Sequence, residues 1–255
     1  MSEEFVNNLM EFSNKIPSVK GEGIVFLTFS IIHEKGKPGQ RNVLVARYKT
    51  LNTKIEIYLQ SPKAIALHGV DEKELLSANI NGKKFYTNYT PDLKNFVSND
   101  GNFYTIINGD EILTILTTDK NFLKLVEPQK PVKFQYDILS YAKKFIKDID
   151  GFALRMVSWN KDGMMDRSRL IFSSADIQTE IAVDVFKADK NEIETLYGNI
   201  KNKNKLNEML YTVKLKEEDV VFCRLDDKRI LAAKCTKGNK ELLPKLAQQV
   251  ADVIK

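Results

Sequence analysis

Histidine and cysteine are scarce in this chain of 255 residues, two of each, and tryptophan occurs once. Cys223 and Cys235 have no CxxC spacing and no histidine nearby, so neither a zinc site nor a disulfide framework is read from them. Strands predicted around Asp226–Asp227 set Cys223 opposite Ile230, and both cysteines are read as ordinary core residues. His33 sits at a turn and His68 precedes a glycine; no HExxH or other ligand spacing occurs. Both are read as solvated loop histidines, and no metal or cofactor is expected. GxSxG, P-loop and GxGxxG patterns are absent, and "GKPGQR" (36–41) lacks the GK[ST] end that cradles phosphates. No apolar run reaches the roughly 18 residues of a membrane span. The start, "MSEEFVNNLMEFSNKI", is acidic and broken by polar residues, unlike a secretory leader. The expectation is a cytoplasmic protein with no membrane contact.

Carboxylates are plentiful, so pairs carry little weight. Asp162 and Asp166 flank two methionines in one turn, and Asp226–Asp227 form another. At hairpin tips such residues serve turn geometry and solubility, and no apolar surroundings exist to raise a pKa. No acid, base and nucleophile can be assembled, so a non-enzyme is expected.

What is present is a core and an uneven charge. Apolar residues make up 43% and charged residues 29%, as in a globular protein, and the length suits one large domain or two ordinary ones. Residues 1–127 hold 15 Lys/Arg and 15 Asp/Glu, whereas 128–255 hold 24 and 19, so the net +5 lies in the second half. That balance suits a polyanionic partner, although a lysine-rich composition drawn from an AT-rich genome gives the same number.

Periodicity supplies the architecture. Phe5, Leu9, Phe12 and Ile16 share a helical face in "EEFVNNLMEFSNK" (3–15), ended by Gly21 and Gly23. "IVFLTFSII" (24–32), "NVLVARYKT" (42–50) and "TKIEIYL" (53–59) read as strands, the first two separated by a turn-rich basic stretch. The second half says the same: a helix 137–148 with Ile138, Tyr141, Ala142 and Phe145 on one face, a stop at Gly151, and strands at 152–159, 169–177 and 179–186. Hairpins follow in both halves, around Asn108–Gly109 and around Asp226–Asp227. "DEKELLSA" is read as a short exposed helix, "KKFYTNY" (83–89) as a strand, and "TPDLKNFV" as a short helix capped by Thr90 with Pro91 at its first position. "DKNEIETLYGNI" reads as helix, "KNKNK" as a solvated loop and "EMLYTVKL" (208–215) as strand. The tail 239–255 carries Leu242, Leu243, Leu246, Val250, Val253 and Ile254 on one stripe, with Pro244 tolerable only in a first turn. Its stripe is expected to close the core of the second half. The chain is therefore read as α+β, two similar domains from an internal duplication, each a helix plus antiparallel β-sheet. The domains are 1–127 and 128–255, joined by the proline-containing connector "VEPQKPVKF" (126–134).

Within this frame "SWNKDGMMDRSRL" (158–170) is a hairpin, not a reaction centre. Trp159 packs on the helix or covers the sheet edge, and Met164 and Met165 sit at an exposed tip suited to a partner contact. Candidate phosphate contacts are Lys143, Lys144 and Lys147 on the second helix, Lys143 and Lys147 being neighbours at i,i+4. Arg167 and Arg169 follow on the hairpin, with Arg41 at the comparable place in the first half. Lys201, Lys203 and Lys205 form a loop cluster. For each of these an ordinary solvated surface is the alternative. The first helix carries Glu3, Glu4 and Glu11 but only Lys15.

The segment "KPVKFQYDILSYAKKFIKDIDGFALRMVSWNKDG" (130–163), running strand, helix, strand and turn, resembles a repeat of the DNA sliding clamps. "DGNFYTIINGDEILTILTTD" followed by "EPQKP" is similar to the end of a clamp domain leading into its connector. The resemblance is one of element order. It implies a ring of several copies around duplex DNA, lysine-bearing helices lining the hole, a DNA polymerase or other replication protein as partner, and a topological mechanism without sequence readout. On it, Lys143, Lys144 and Lys147 face the DNA. The competing expectations are a structural or assembly protein of phage or viral type, and a single-strand nucleic-acid-binding module. The module would need exposed aromatics, for which Phe85, Tyr86 and Tyr89 are the candidates; alternation puts Phe85 and Tyr89 together on a core side.

Overall fold

The computed structural model describes residues 2–33, 39–49, 53–63, 70–80, 82–89, 100–133, 136–201, 204–207, 209–215 and 218–255. The expected helix at "TPDLKNFV", His68 and Lys203 lie outside the described residues. The chain divides into two units, an N-terminal unit of Asn8–Phe134 and a C-terminal unit of Gln135–Lys255 with Met1–Asn7. Helix α1 (Ser2–Ser13) gives its first residues to the C-terminal unit and the rest to the N-terminal one.

The N-terminal unit is built on strands β2 (Ile24–His33), β3 (Gln40–Tyr48), β4 (Ile55–Ser61), β5 (Ser77–Ile80), β6 (Lys83–Tyr86), β7 (Asn102–Asn108) and β8 (Glu111–Thr117). Their order across the sheet is β2-β3-β4-β8-β7-β6-β5, with every neighbour antiparallel. The β7–β8 hairpin is closed by Asn108 opposite Glu111, and Gly109 takes φ +55, a left-handed value that costs glycine nothing. A separate pair joins β1 (Pro17–Val19) to β9 (Val126–Pro131). The expected connector is thus paired strand at 126–131, held within the N-terminal unit. "DEKELLSA" is corrected as well: it forms one 3-10 turn at Glu72–Glu74 and then enters β5. The Asp71 side chain accepts from the Lys73 N–H at 2.9 Å, which favours a tight turn over a helix. Leu9, Phe12 and Ile16 are buried, Phe12 meeting Phe29 edge-on at 5.6 Å.

The C-terminal unit repeats the strand order with different covering. Strands β10 (Phe152–Asp162), β11 (Met165–Ser174), β12 (Glu180–Lys187), β13 (Asn204–Lys205), β14 (Leu210–Leu215), β15 (Glu218–Arg224) and β16 (Arg229–Lys237) lie as β10-β11-β12-β16-β15-β14-β13, all antiparallel. Helices α2 (Asp137–Lys144) and α4 (Leu243–Ile254) pack on one face of this sheet; α3 (Lys190–Lys201) packs on the other, through Ile193 against Ile230.

Two expectations shift here. Helix α2 ends at Lys144 rather than 148, because Phe145 leaves helical backbone at φ −111 to bury its ring edge-on to Phe172, 5.2 Å away. Asp150 (φ +50) and Gly151 (φ +81) then make a tight two-residue turn between Ile149 and Phe152. Cys223 pairs with Leu231, not Ile230, because Leu225 and Asp226 both donate to the Arg229 carbonyl and the loop is one residue longer than a tight turn. Neither cysteine is in a disulfide.

The terminal stripe closes the core of this unit. Leu243, Leu246, Ala247, Val250, Ala251 and Ile254 are buried in α4, while Val253 points outward at 38% exposure. Pro244 sits in the first turn, where its missing N–H has no helical partner to lose. Among the described residues no helix is long and apolar enough to cross a membrane.

Candidate nucleic-acid interface

The nominated basic residues separate into those committed to the fold and those left over. Arg167 and Arg169 alternate along β11 and point to one sheet face, where β12 presents Asp184. Both guanidiniums fork the same carboxylate. Arg167 donates from Nε at 3.0 Å and Nη2 at 2.8 Å, and Arg169 from Nε at 2.8 Å and Nη2 at 2.9 Å. Burial holds the Asp184 carboxyl above its usual range, and the Arg169 guanidinium offsets this only in part. With two bidentate forks on its oxygens, the ionised form is the one this geometry satisfies. The expectation of outward phosphate contacts at these two arginines is corrected accordingly: Asp184 neutralises half their charge, leaving one net positive charge for the trio.

Arg41 is corrected more strongly. It is only 4% exposed, so it does not stand on the surface. Lys144 is also committed. Its Nζ donates to the carbonyls of Val253 at 3.0 Å and Ile254 at 3.2 Å, satisfying the open C-terminal turn of α4 and matching its dipole. Lys143 and Lys147 are exposed and form no ion pair among the described residues, but the early end of α2 removes the expected i,i+4 relation between them. Lys201 ends α3, with its side chain outside the described residues; Lys205 is exposed on β13.

The methionines divide likewise. The hairpin turn is Gly163–Met164, with Asp162 opposite Met165, and Met164 is 71% exposed. Met165 instead packs against Ala188, Ile193 and Ile230 beneath α3, so only one methionine stands at the tip. Trp159 is buried and stacks on Tyr136 at 4.1 Å, at the residue leading into α2. Phe85 and Tyr89 are both 1% exposed, in the core as alternation predicts.

The exposed side of α1 is acidic, with Glu3, Glu4 and Glu11 outward. Lys15 does not offset this, since its ammonium is held at 2.5 Å by both Glu11 and Glu111. Sequence reading also misses a groove of about 710 Å³ in the N-terminal unit. Leu113, Ile106 and Pro131 give it apolar walls, and Lys83, Lys84 and Tyr86 line one side, with Lys84 Nζ 4.9 Å from the Tyr86 ring centroid. It is assembled from β1, β6, β7, β8 and β9, and no local pattern announces such a meeting. Among the described residues no group of three or more His, Cys, Asp or Glu side chains is arranged to hold a metal. No protein-family model matches the chain, and no curated protein matches it either.

Proposed function

We propose that this chain is an internally duplicated α+β protein that acts without catalysis as a DNA-associated processivity factor of the sliding-clamp kind. The observation that carries the reading is the shared order of seven antiparallel strands in each unit, β2-β3-β4-β8-β7-β6-β5 and β10-β11-β12-β16-β15-β14-β13. Three consecutive strands, a crossover to the far edge and a return to the third strand make a specific path, and two unrelated sheets have many other paths open to them. Finer features agree. Each first strand has one bulge against its second, between Ile24 and Phe26 and between Leu154 and Met156.

The outermost strand of each unit's order, β5 or β13, is short. Short edges resist indiscriminate pairing, and copies joined head to tail through them close into a ring if the rotation permits. Duplex DNA is held by few, exchangeable phosphate contacts from Lys143 and Lys147, while ring closure prevents its loss. The Met164 tip serves a polymerase or another replication protein. The acidic face of α1 favours a second reading, an assembly or interaction protein with no nucleic-acid ligand.

Charge reversal separates the two. Lys143→Glu with Lys147→Glu should lower the slope of log affinity against log salt by roughly 0.9 for each duplex phosphate that is no longer neutralised. An unchanged slope in the folded double variant would contradict the proposed roles of these lysines.

A further inference from the structure

The C-terminal unit holds a small pocket that the proposed DNA role does not use. It lies on the helix-covered face of the sheet, where the start of α2 meets the hairpin end of β10, β11 and β12. Tyr136, Tyr141 and Trp159 supply aromatic walls, and Asp137, Asp166 and Lys187 supply charge. Its volume is about 70 Å³, roughly twice a water molecule's share of the liquid. That space admits an ammonium or guanidinium head and excludes a sugar or a nucleobase. It adjoins a wider cleft of about 640 Å³, sharing Asp137, Tyr141 and Lys187 with it, so the head has a way in from solvent.

The charges decide which ligand fits. Around pocket and cleft, Lys187 is bound to Asp137 at 2.6 Å and Arg229 to Asp226 at 2.6 Å, while Asp227 holds Lys190 at 3.1 Å and Arg224 at 2.8 Å. Asp166 is the carboxylate left over. Its Oδ1 is shut off from solvent and has no hydrogen-bond partner among the described residues. A buried acceptor without a donor is costly, and a carboxylate more so than a carbonyl. Aromatic walls beside an unsatisfied anion are the surroundings that stabilise an organic cation, through the ring faces and a charge-assisted hydrogen bond together. Burial and the nearby Asp166 charge both push the Tyr136 hydroxyl up, and Lys187, raised chiefly by its bond to Asp137, feels Asp166 as well, so two carboxylates face one ammonium here.

We infer that this pocket binds a single organic cation of side-chain-head size, an ammonium or a guanidinium, with Asp166 as its counter-ion. The proposal is independent of DNA binding. The chain's one tryptophan lines the pocket, so Trp159 emission reports occupancy directly. The full chain is titrated with ethylguanidinium or ethylammonium chloride at constant ionic strength, with sodium chloride as the control. Acetyl-arginine amide and acetyl-lysine amide serve as further probes. Saturable change with at least one small cation, absent with sodium, is expected. Saturation by the capped amino acids as well would assign a partner protein's side chain; saturation by the small cations alone would assign a free amine.

Asp166→Asn should weaken binding at least about tenfold, the usual worth of one charge-assisted bond. Lys187→Met should tighten it severalfold by releasing Asp137 as a second anion. These opposite signs separate recognition from general loosening. Emission that drifts linearly as in sodium chloride, or loss of binding in both variants, would overturn the assignment.

Discussion

The two units share a strand order yet fill one sheet face differently. In the C-terminal unit the register places Arg167, Arg169 and Asp184 together, and the face is held by a charged fork. Counted from the bulge in each first strand, the corresponding places in the N-terminal unit carry Val43, Val45 and Tyr58, which form an apolar cluster with Leu116. Glu56 is buried there too, at 2% side-chain exposure, ion-paired with Arg47 across 2.9 Å and accepting from the Tyr58 hydroxyl. The ladder of backbone hydrogen bonds and the period-two burial are therefore compatible with either polar or apolar filling. Topology constrains which residues face one another; what they say to one another remains open to the sequence.

The units also differ in how they finish. The C-terminal unit closes its core with α4, whose last carbonyls are capped by Lys144. After β8 the N-terminal unit makes a 3-10 turn at Lys120–Leu125 and enters β9, which pairs with β1. An amphipathic helix in one unit and a two-stranded ribbon in the other occupy the same stage of the chain.

Substitutions should separate the two units, most strongly at their glycine turns. A side chain at Gly238 would place its Cβ 2.2 Å from the Gln178 carbonyl oxygen, at φ +86. Gly238→Ala should cost about 3 kcal/mol or more in urea unfolding. Gly109→Ala in the N-terminal unit meets open space at φ +55 and should cost about 1 kcal/mol, for backbone strain alone. Equal costs would mean that the close approach at Gly238 is not maintained.

Next comes the fork. Asp184→Asn removes the counter-charge of two guanidiniums that are each about one-third exposed. The expected loss is about 2 kcal/mol, below the value for a fully buried pair because solvent screens the arginines. Asp184→Asn combined with Arg169→Leu, which copies the apolar filling of the other unit, should recover part of it. No recovery would show that the fork is not interchangeable with apolar packing.

Acid should distinguish the units more gently. In the C-terminal unit burial pushes Asp148 up, but hydrogen bonds from Ser2 outweigh it and hold the carboxyl below its usual range. Asp226 is likewise lowered, against burial, by the Lys228 N–H and by Arg229, and Asp227 is lowered chiefly by Lys190. A depressed folded-state pKa gives stability that is complete above the unfolded value, near 3.9 for aspartate, and is lost as pH falls through the folded one. Trp159 emission during urea unfolding should therefore show the C-terminal unit weakening from about pH 4 downward. Lys190→Met should leave the acid loss nearly unchanged, because Lys190 and Asp227 are both exposed and solvent screens the pair. A midpoint independent of pH below 4 would contradict these assignments.

Much of the fold is legible in the sequence because period and turn chemistry are local. The β7–β8 hairpin follows from Asn108–Gly109, and the α4 stripe from its spacing. The three opening strands of each half follow from their alternation. What is not legible depends on partners distant in sequence. Nothing near Arg167 announces Asp184, which comes to it across a strand pair. The end of α2 escapes the helical period because Phe145 is pulled from the helix by Phe172, and Lys147 keeps its charge but loses its helical neighbour. Met165 looks like Met164 in sequence, and only the packing of α3 tells them apart. The cation pocket is invisible for the same reason, since Asp166, Trp159 and Asp137 meet only in the assembled unit.

The most direct test of the central claim is retention of the full chain on nicked circular against linear duplex DNA, with solution mass measured by light scattering at the same salt. A closed oligomer that stays on circles and is shed from linear ends is the predicted result. A monomer, or an oligomer that treats the two DNAs alike at low salt, would contradict it.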